Sequence, residues 1–109
     1  MIFDKYGNLQ YHEEVKKLYT VYASKAFQKQ MYKLPKYIYK AVSVWVGAVE
    51  AAGIREVRKL KSYHDEPLKG KREGQRSVRI SNAYRLIYEE DEKINTVTIY
   101  LLEISKHEY

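Results

Sequence analysis

The chain is 109 residues long, carries a formal charge of +6 and contains no cysteine. That length supports one domain around a single core, and the lack of cysteine excludes a disulfide framework, thiolate chemistry and any Cys-based zinc site. The N-terminal stretch MIFDKYGNLQYHEEVKK has no signal-like apolar run and no segment reaches transmembrane length, so a soluble cytoplasmic protein without membrane contact is expected.

Residues 1–16 are polar, with Gly7-Asn8 marking a turn and Gln10–Lys17 able to form a helical turn or two. They read as an N-terminal extension of unassigned role, ahead of one domain over residues 17–109. Tyr19–Ala23, β-branched and aromatic, is the expected first strand. Ser24 is placed to cap a helix bearing Phe27, Met31 and Leu34 at i, i+4 and i+7, and Pro35 ends it while suiting the start of the next. That second helix has the strongest periodicity, with Ile38, Val42, Trp45, Val46 and Val49 on one face, and Gly53 is its expected stop. Trp45 reads as core rather than as a base-stacking platform. Ile54, Val57 and Leu60 suggest a further short helix before a turn over Tyr63–Pro67.

A cationic loop containing Lys69, Lys71 and Arg72 then leads into two β-like runs, Arg76–Ile80 and Ala83–Glu89, joined by Ser81-Asn82. Asn tolerates a left-handed backbone, so a tight hairpin is expected there. Period two places Val78, Ile80, Tyr84, Leu86 and Tyr88 on one face and Arg79 and Arg85 on the other. An acidic turn precedes a last strand over Asn95–Ile104. The order β-α-α-(short α)-β-β-β predicts an α+β domain with helices packed on one face of an antiparallel sheet.

Charge is localised. Residues 55–85 hold ten Lys/Arg against four Asp/Glu, which accounts for the whole +6. Such a surface suits nucleic acid or an acidic protein. No P-loop, GxSxG or HExxH is present, and three scattered histidines make a poor metal site, so neither cofactor nor metal is expected. Lys, Arg, His and Tyr remain. Those residue types can cleave RNA without metal: a 2′-hydroxyl attacks the adjacent phosphate, cations stabilise the developing charge, and titratable groups move the protons.

The ordered pieces Pro67-Leu68-Lys69-Gly70, Arg76-Ser77-Val78-Arg79-Ile80, Ala83-Tyr84-Arg85-Leu86-Ile87-Tyr88 and Glu103-Ile104-Ser105-Lys106-His107-Glu108-Tyr109 resemble the RelE/HigB-type toxins of type II toxin–antitoxin pairs, within the RelE/ParE superfamily. The resemblance spans roughly residues 18–109 and implies a microbial-RNase-type fold. It also implies an endoribonuclease that cuts mRNA, usually on the ribosome, and is silenced by an acidic, DNA-binding antitoxin through which alone it would reach operator DNA. Carried over by position, Arg79, Arg85, His107 and Tyr109 are the expected catalytic set, and Lys69, Lys71, Arg72 and Arg76 the expected RNA-binding set. The family has no fixed catalytic set and some members use a Glu, so the general base stays open. Arg85 has a structural alternative, a cross-sheet pair with Glu103, and His64 reads as a turn residue. A ParE-like inhibitor of DNA gyrase, acting by protein binding, is the alternative function.

Overall fold

The computed structural model describes residues 17–106, together with the backbone of two short strands, β1 (Ile2–Phe3) and β2 (Leu9–Gln10), paired antiparallel. Gln10, expected to open a helical turn, therefore lies in a strand, and the Gly7-Asn8 turn falls outside the described residues.

The main sheet is built from β3 (Leu18–Ala23), β4 (Glu66–Pro67), β5 (Gln75–Arg79), β6 (Tyr84–Glu92) and β7 (Thr96–Lys106), in the order β3-β7-β6-β5-β4. It is mixed rather than wholly antiparallel, because β3 runs parallel to β7. The helical connection carries the chain from β3 at one edge to β4 at the other, and the antiparallel run from β4 to β7 brings it back so that β7 lies beside β3. Glu66–Pro67, expected within a turn, adds a short edge strand; proline is tolerated at an edge, where its missing N–H costs no ladder bond.

The helices α1 (Lys25–Met31), α2 (Lys36–Ala52) and α3 (Ile54–Arg58) cover one face of the sheet. Ser24 caps α1 as its sequence predicts, Oγ accepting from the Phe27 N–H at 3.0 Å. Ile38, Val42, Trp45 and Val49 form the buried stripe of α2, and Trp45 packs at 5.5 Å, tilted by 50°, against the ring of Tyr88. From the sheet side Val78, Leu86, Tyr88, Val97, Ile99, Leu101 and Ile104 complete the core. Gly53 separates α2 from α3 at φ 90°, and a Cβ there would stand 2.5 Å from the Tyr19 ring, so both the backbone and the packing demand glycine.

Two local features differ from expectation and matter for the site. The β5–β6 turn uses no left-handed Asn82, since His64 is the one non-glycine with positive φ among the described residues. Instead the Ser81 hydroxyl accepts from the N–H groups of Ala83 and Tyr84, at 3.3 and 3.2 Å, and holds a longer loop. The second feature is a bulge. Ile87 faces Glu103, but Tyr88 faces Leu101, leaving Leu102 as the extra residue of β7. Its carbonyl accepts from Ser24 Oγ at 3.1 Å, and the following N–H of Ile104 donates to Gln30 Oε1 at 2.8 Å, so α1 satisfies the backbone that the bulge releases. No helix of the described residues is long and apolar enough to cross a membrane.

Candidate active site

The face of the sheet without helices carries the arginines. Arg79 and Arg85 are direct cross-strand partners, and Arg85 in turn faces Ser105. The neighbouring row runs Glu66, Ser77, Ile87, Glu103 across β4, β5, β6 and β7. With Arg72, Leu68 and His64 at the rim, these residues line a groove of about 410 Å³.

The two arginines are held differently and neither is neutralised. Arg85 donates from Nη1 to the carbonyls of Ser81 at 2.9 Å and Tyr84 at 3.3 Å, so the hairpin loop fixes the side chain while leaving its charge intact. The Arg85–Glu103 pair weighed as a structural alternative does not form. Glu103 accepts instead from Arg72 Nη2 at 2.7 Å, and Arg72 also donates to Gln75 at 3.1 Å. Arg79 makes no ion pair, and its buried Nε has no hydrogen-bond partner among the described residues. Like charges placed opposite each other destabilise a sheet, so this pairing has no structural benefit of its own.

Carboxylates enter the groove at two positions that sequence reading left out of the site. Glu66 lies on the short edge strand opposite Ser77, and its side chain lines the groove with no hydrogen bond or ion pair among the described residues. Glu103 reaches this face only through the bulge. Strict alternation from Val97, Ile99 and Leu101 would have sent it into the core, and the extra residue Leu102 reverses the phase. His64 is a turn residue, left-handed at φ 46° after a 3₁₀ turn over Lys61–Tyr63, and it is also exposed at the groove rim.

The expected RNA-binding set divides. Lys69 and Lys71 are exposed beside the groove and unpaired among the described residues. Arg72 is tied to Glu103 at the rim. Arg76 lies on the other face of β5, paired in register with Tyr88, and is no part of the groove. Its Nε donates to Asp65 Oδ1 at 2.6 Å, and the Asp65 side chain is only 1% exposed. The Tyr88 hydroxyl donates to the other Asp65 oxygen at 2.6 Å and accepts from Arg58, which also binds Glu90 at 2.8 Å. Burial, then the hydrogen bond to Asp65, push the Tyr88 hydroxyl well above its ordinary range despite the opposing Arg58 charge. Burial alone would lower the Arg58 pKa, but its bonds to Glu90 and Tyr88 outweigh that and raise it. Two arginines against Asp65 and Glu90 make this a neutral structural cluster. His107 and Tyr109 lie outside the described residues. No group of three or more His, Cys, Asp or Glu among the described residues could hold a metal ion.

No family model matches the sequence, and no curated protein matches it. Solved structures do. A chain of the toxin–antitoxin complex RelBE2 from Mycobacterium tuberculosis is 27% identical, with a TM-score of 0.60, over 82% of this chain and 98% of its own. The archaeal RelE–RelB complex from Pyrococcus horikoshii OT3 contributes a match at 24% identity and TM-score 0.63, over 82% of this chain and 94% of its own. YafQ from E. coli strain BL21(DE3) matches at 16% identity and TM-score 0.65, over 80% and 91%. The fold is therefore that of the RelE-type toxins of the RelE/ParE superfamily, as the ordered sequence pieces implied.

Proposed function

We infer that the protein is the toxin of a toxin–antitoxin pair and acts as a metal-independent endoribonuclease on mRNA, in the cytoplasm and on the ribosome. The observation that carries this reading is the cross-strand pair Arg79–Arg85, two uncompensated guanidinium groups side by side on the helix-free face. Fixed cations of this kind suit a phosphate that gains negative charge in its transition state.

In this reading Glu66 takes the proton from a ribose 2′-hydroxyl, and the 2′-oxygen bonds to the adjacent phosphorus. Arg79 and Arg85 stabilise the charge that builds on the non-bridging oxygens. The P–O5′ bond breaks as an acid returns a proton to the departing oxygen, leaving a 2′,3′-cyclic phosphate and a 5′-hydroxyl. His107 is the proposed acid, with Tyr109 as the further candidate, because an imidazole titrates near neutral pH unperturbed. Glu66 is preferred to Glu103 as base because Arg72 already engages Glu103. Lys69 and Lys71 would hold flanking phosphates, and an acidic antitoxin would silence the site. Primer extension on mRNA after brief expression tests the reading. Discrete cuts are expected, and intact mRNA accompanied by DNA damage would overturn it in favour of gyrase inhibition.

A further inference from the structure

The helix-free face of the sheet has a second end, away from the arginines and unlike them. Tyr22 of β3 and Tyr100 of β7 are direct partners in register, and their rings stack at 6.1 Å with 21° between the planes. Val21 on one strand and Ile99 and Leu101 on the other pack toward the helices, so strand parity sends both tyrosines outward. They stay 58% and 41% exposed, and because β3 is the edge of the sheet, no further strand stands beyond Tyr22. An aromatic pair left this open adds little to the core and offers an apolar surface to a partner.

Carboxylates adjoin the pair. Glu89 of β6 is the register partner of Tyr100, and Asp91 faces Thr98, which in turn faces Thr20. Both carboxylates are exposed, and neither has an ion pair or hydrogen bond among the described residues. Their neighbours on the same strand behave otherwise. Glu90 and Glu92 point to the helix side, where Arg58 takes the first and Arg55 and Lys17 take the second. In a chain with a formal charge of +6, two carboxylates without a cation beside an open aromatic pair are charge complementarity for a cation from outside. A cation against an aromatic ring gains from the ring quadrupole, and a carboxylate within reach adds to that attraction.

We propose that Tyr22, Tyr100, Glu89 and Asp91 seat a Lys/Arg-rich segment of a protein partner, its cationic side chains laid against the rings and met by the two carboxylates. RNA is the poorer fit: its bases can stack on tyrosine, but its phosphates would stand beside Glu89 and Asp91. An acidic segment is repelled for the same reason, and a purely apolar one would cover the carboxylates without pairing them. The row Ile87–Glu103 lies between this seat and the row Arg85–Ser105, so one face carries two ends of opposite charge. The proposal does not depend on the toxin reading. If that reading holds, RNA occupies the arginine end while a basic protein segment anchors the other.

The test is fluorescence anisotropy with a labelled extended peptide of alternating Arg and Ser, a Glu/Ser counterpart and, separately, a labelled oligoribonucleotide. The Arg/Ser peptide should bind in spite of the protein's own positive charge, and added salt should weaken it. Tyr22→Ser and the double variant Glu89→Gln/Asp91→Asn should each weaken it roughly fivefold. The amide variant keeps the size and shape of exposed side chains, so it decides the matter should the Tyr22 substitution disturb the edge strand. Arg79→Ala should bind the peptide no less well than the unaltered protein, and Tyr22→Ser should bind the oligoribonucleotide unchanged. Failure of the Arg/Ser peptide to bind, equal binding of the two peptides, or unchanged affinity in the amide variant would each overturn the proposal. So would loss of oligoribonucleotide affinity in Tyr22→Ser, which would make the pair a base-stacking platform. Self-association of the unaltered protein that Tyr22→Ser abolishes would overturn it too, in favour of a contact between copies. Absence of mRNA cuts by the unaltered protein would sink the toxin reading while leaving the peptide result standing.

Discussion

Arg76 and Arg79 are three residues apart on one strand and have opposite fates. Arg76 points to the helix side, where a buried Asp65 binds it at 2.6 Å and Tyr88, Arg58 and Glu90 complete a neutral cluster. Arg79 points away from the helices, faces Arg85 across the hairpin and meets no carboxylate among the described residues. Residue type is the same in both places. Strand parity and the supply of counter-charges decide which cation holds the fold and which remains open to an anionic ligand. A count of basic residues misses this: of the ten cations in residues 55–85, Arg55, Arg58, Lys59, Arg72 and Arg76 are ion-paired.

The largest expected effect falls on the open pair. Arg79→Ala should lower single-turnover cleavage of mRNA by roughly a hundredfold, about 3 kcal/mol of barrier, with little change in the urea midpoint. Arg85→Ala should lose a similar factor in rate and somewhat more stability, because Ser81 and Tyr84 lose a donor. A variant that unfolded earlier but cleaved normally would reverse the roles assigned to the two arginine regions.

Asp65→Ala should do the opposite. It strands Arg76 beside the core, leaves Arg58 to Glu90 alone and removes the acceptor of the Tyr88 hydroxyl. Both arginine side chains are about a quarter exposed, so the loss should stay near 2–3 kcal/mol, below that of a fully buried pair. Urea unfolding measures it. Unchanged cleavage per folded molecule would confirm that the cluster lies outside the chemistry.

The same cluster should be visible in alkaline solution. The Tyr88 hydroxyl has a raised pKa in the fold, from burial first and Asp65 second, while in the unfolded chain it titrates near 10. Above pH 10 the unfolded state therefore holds fewer protons than the folded state, and stability falls with rising pH; below pH 10 this contribution is fully present. One proton corresponds to about 1.4 kcal/mol per pH unit across that window. Tyr88→Phe should remove this part of the slope, and melting curves between pH 9 and 11 would test it.

The helices and the hairpin faces were legible because their signals are periodic and local: the Ser24 cap, the α2 stripe, the Gly53 stop and the alternation through Val78 and Leu86 all appear where pattern puts them. The parallel pairing of β3 with β7 was not, since nothing within Leu18–Ala23 names its partner. Neither was the groove position of Glu103, which depends on a bulge whose freed backbone groups are satisfied by Ser24 and Gln30, more than seventy residues away. Arg76 was misplaced because the charge tally ignored strand parity: it shares the parity of Val78, and only the Asp65 turn explains a cation on that side.

Arg72 lies between the two regimes and gives the smallest effect. It sits on the groove rim yet is bound to Glu103 at 2.7 Å, with the two side chains 48% and 34% exposed. A pair this open contributes at most about 1 kcal/mol to stability, so Arg72→Ala should barely move the unfolding midpoint. Its effect on rate should come through Glu103. Released, that carboxylate would stand on the same face as Arg85 and Arg79 and offset part of the positive potential meant for phosphate, slowing cleavage severalfold, roughly 1 kcal/mol of barrier. Adding Glu103→Gln should then restore the rate, because it removes the competing charge. If Arg72 instead contacts phosphate directly, the double variant would stay as slow as the single one, and Arg72 would belong with Arg79 and Arg85 rather than between the two regions.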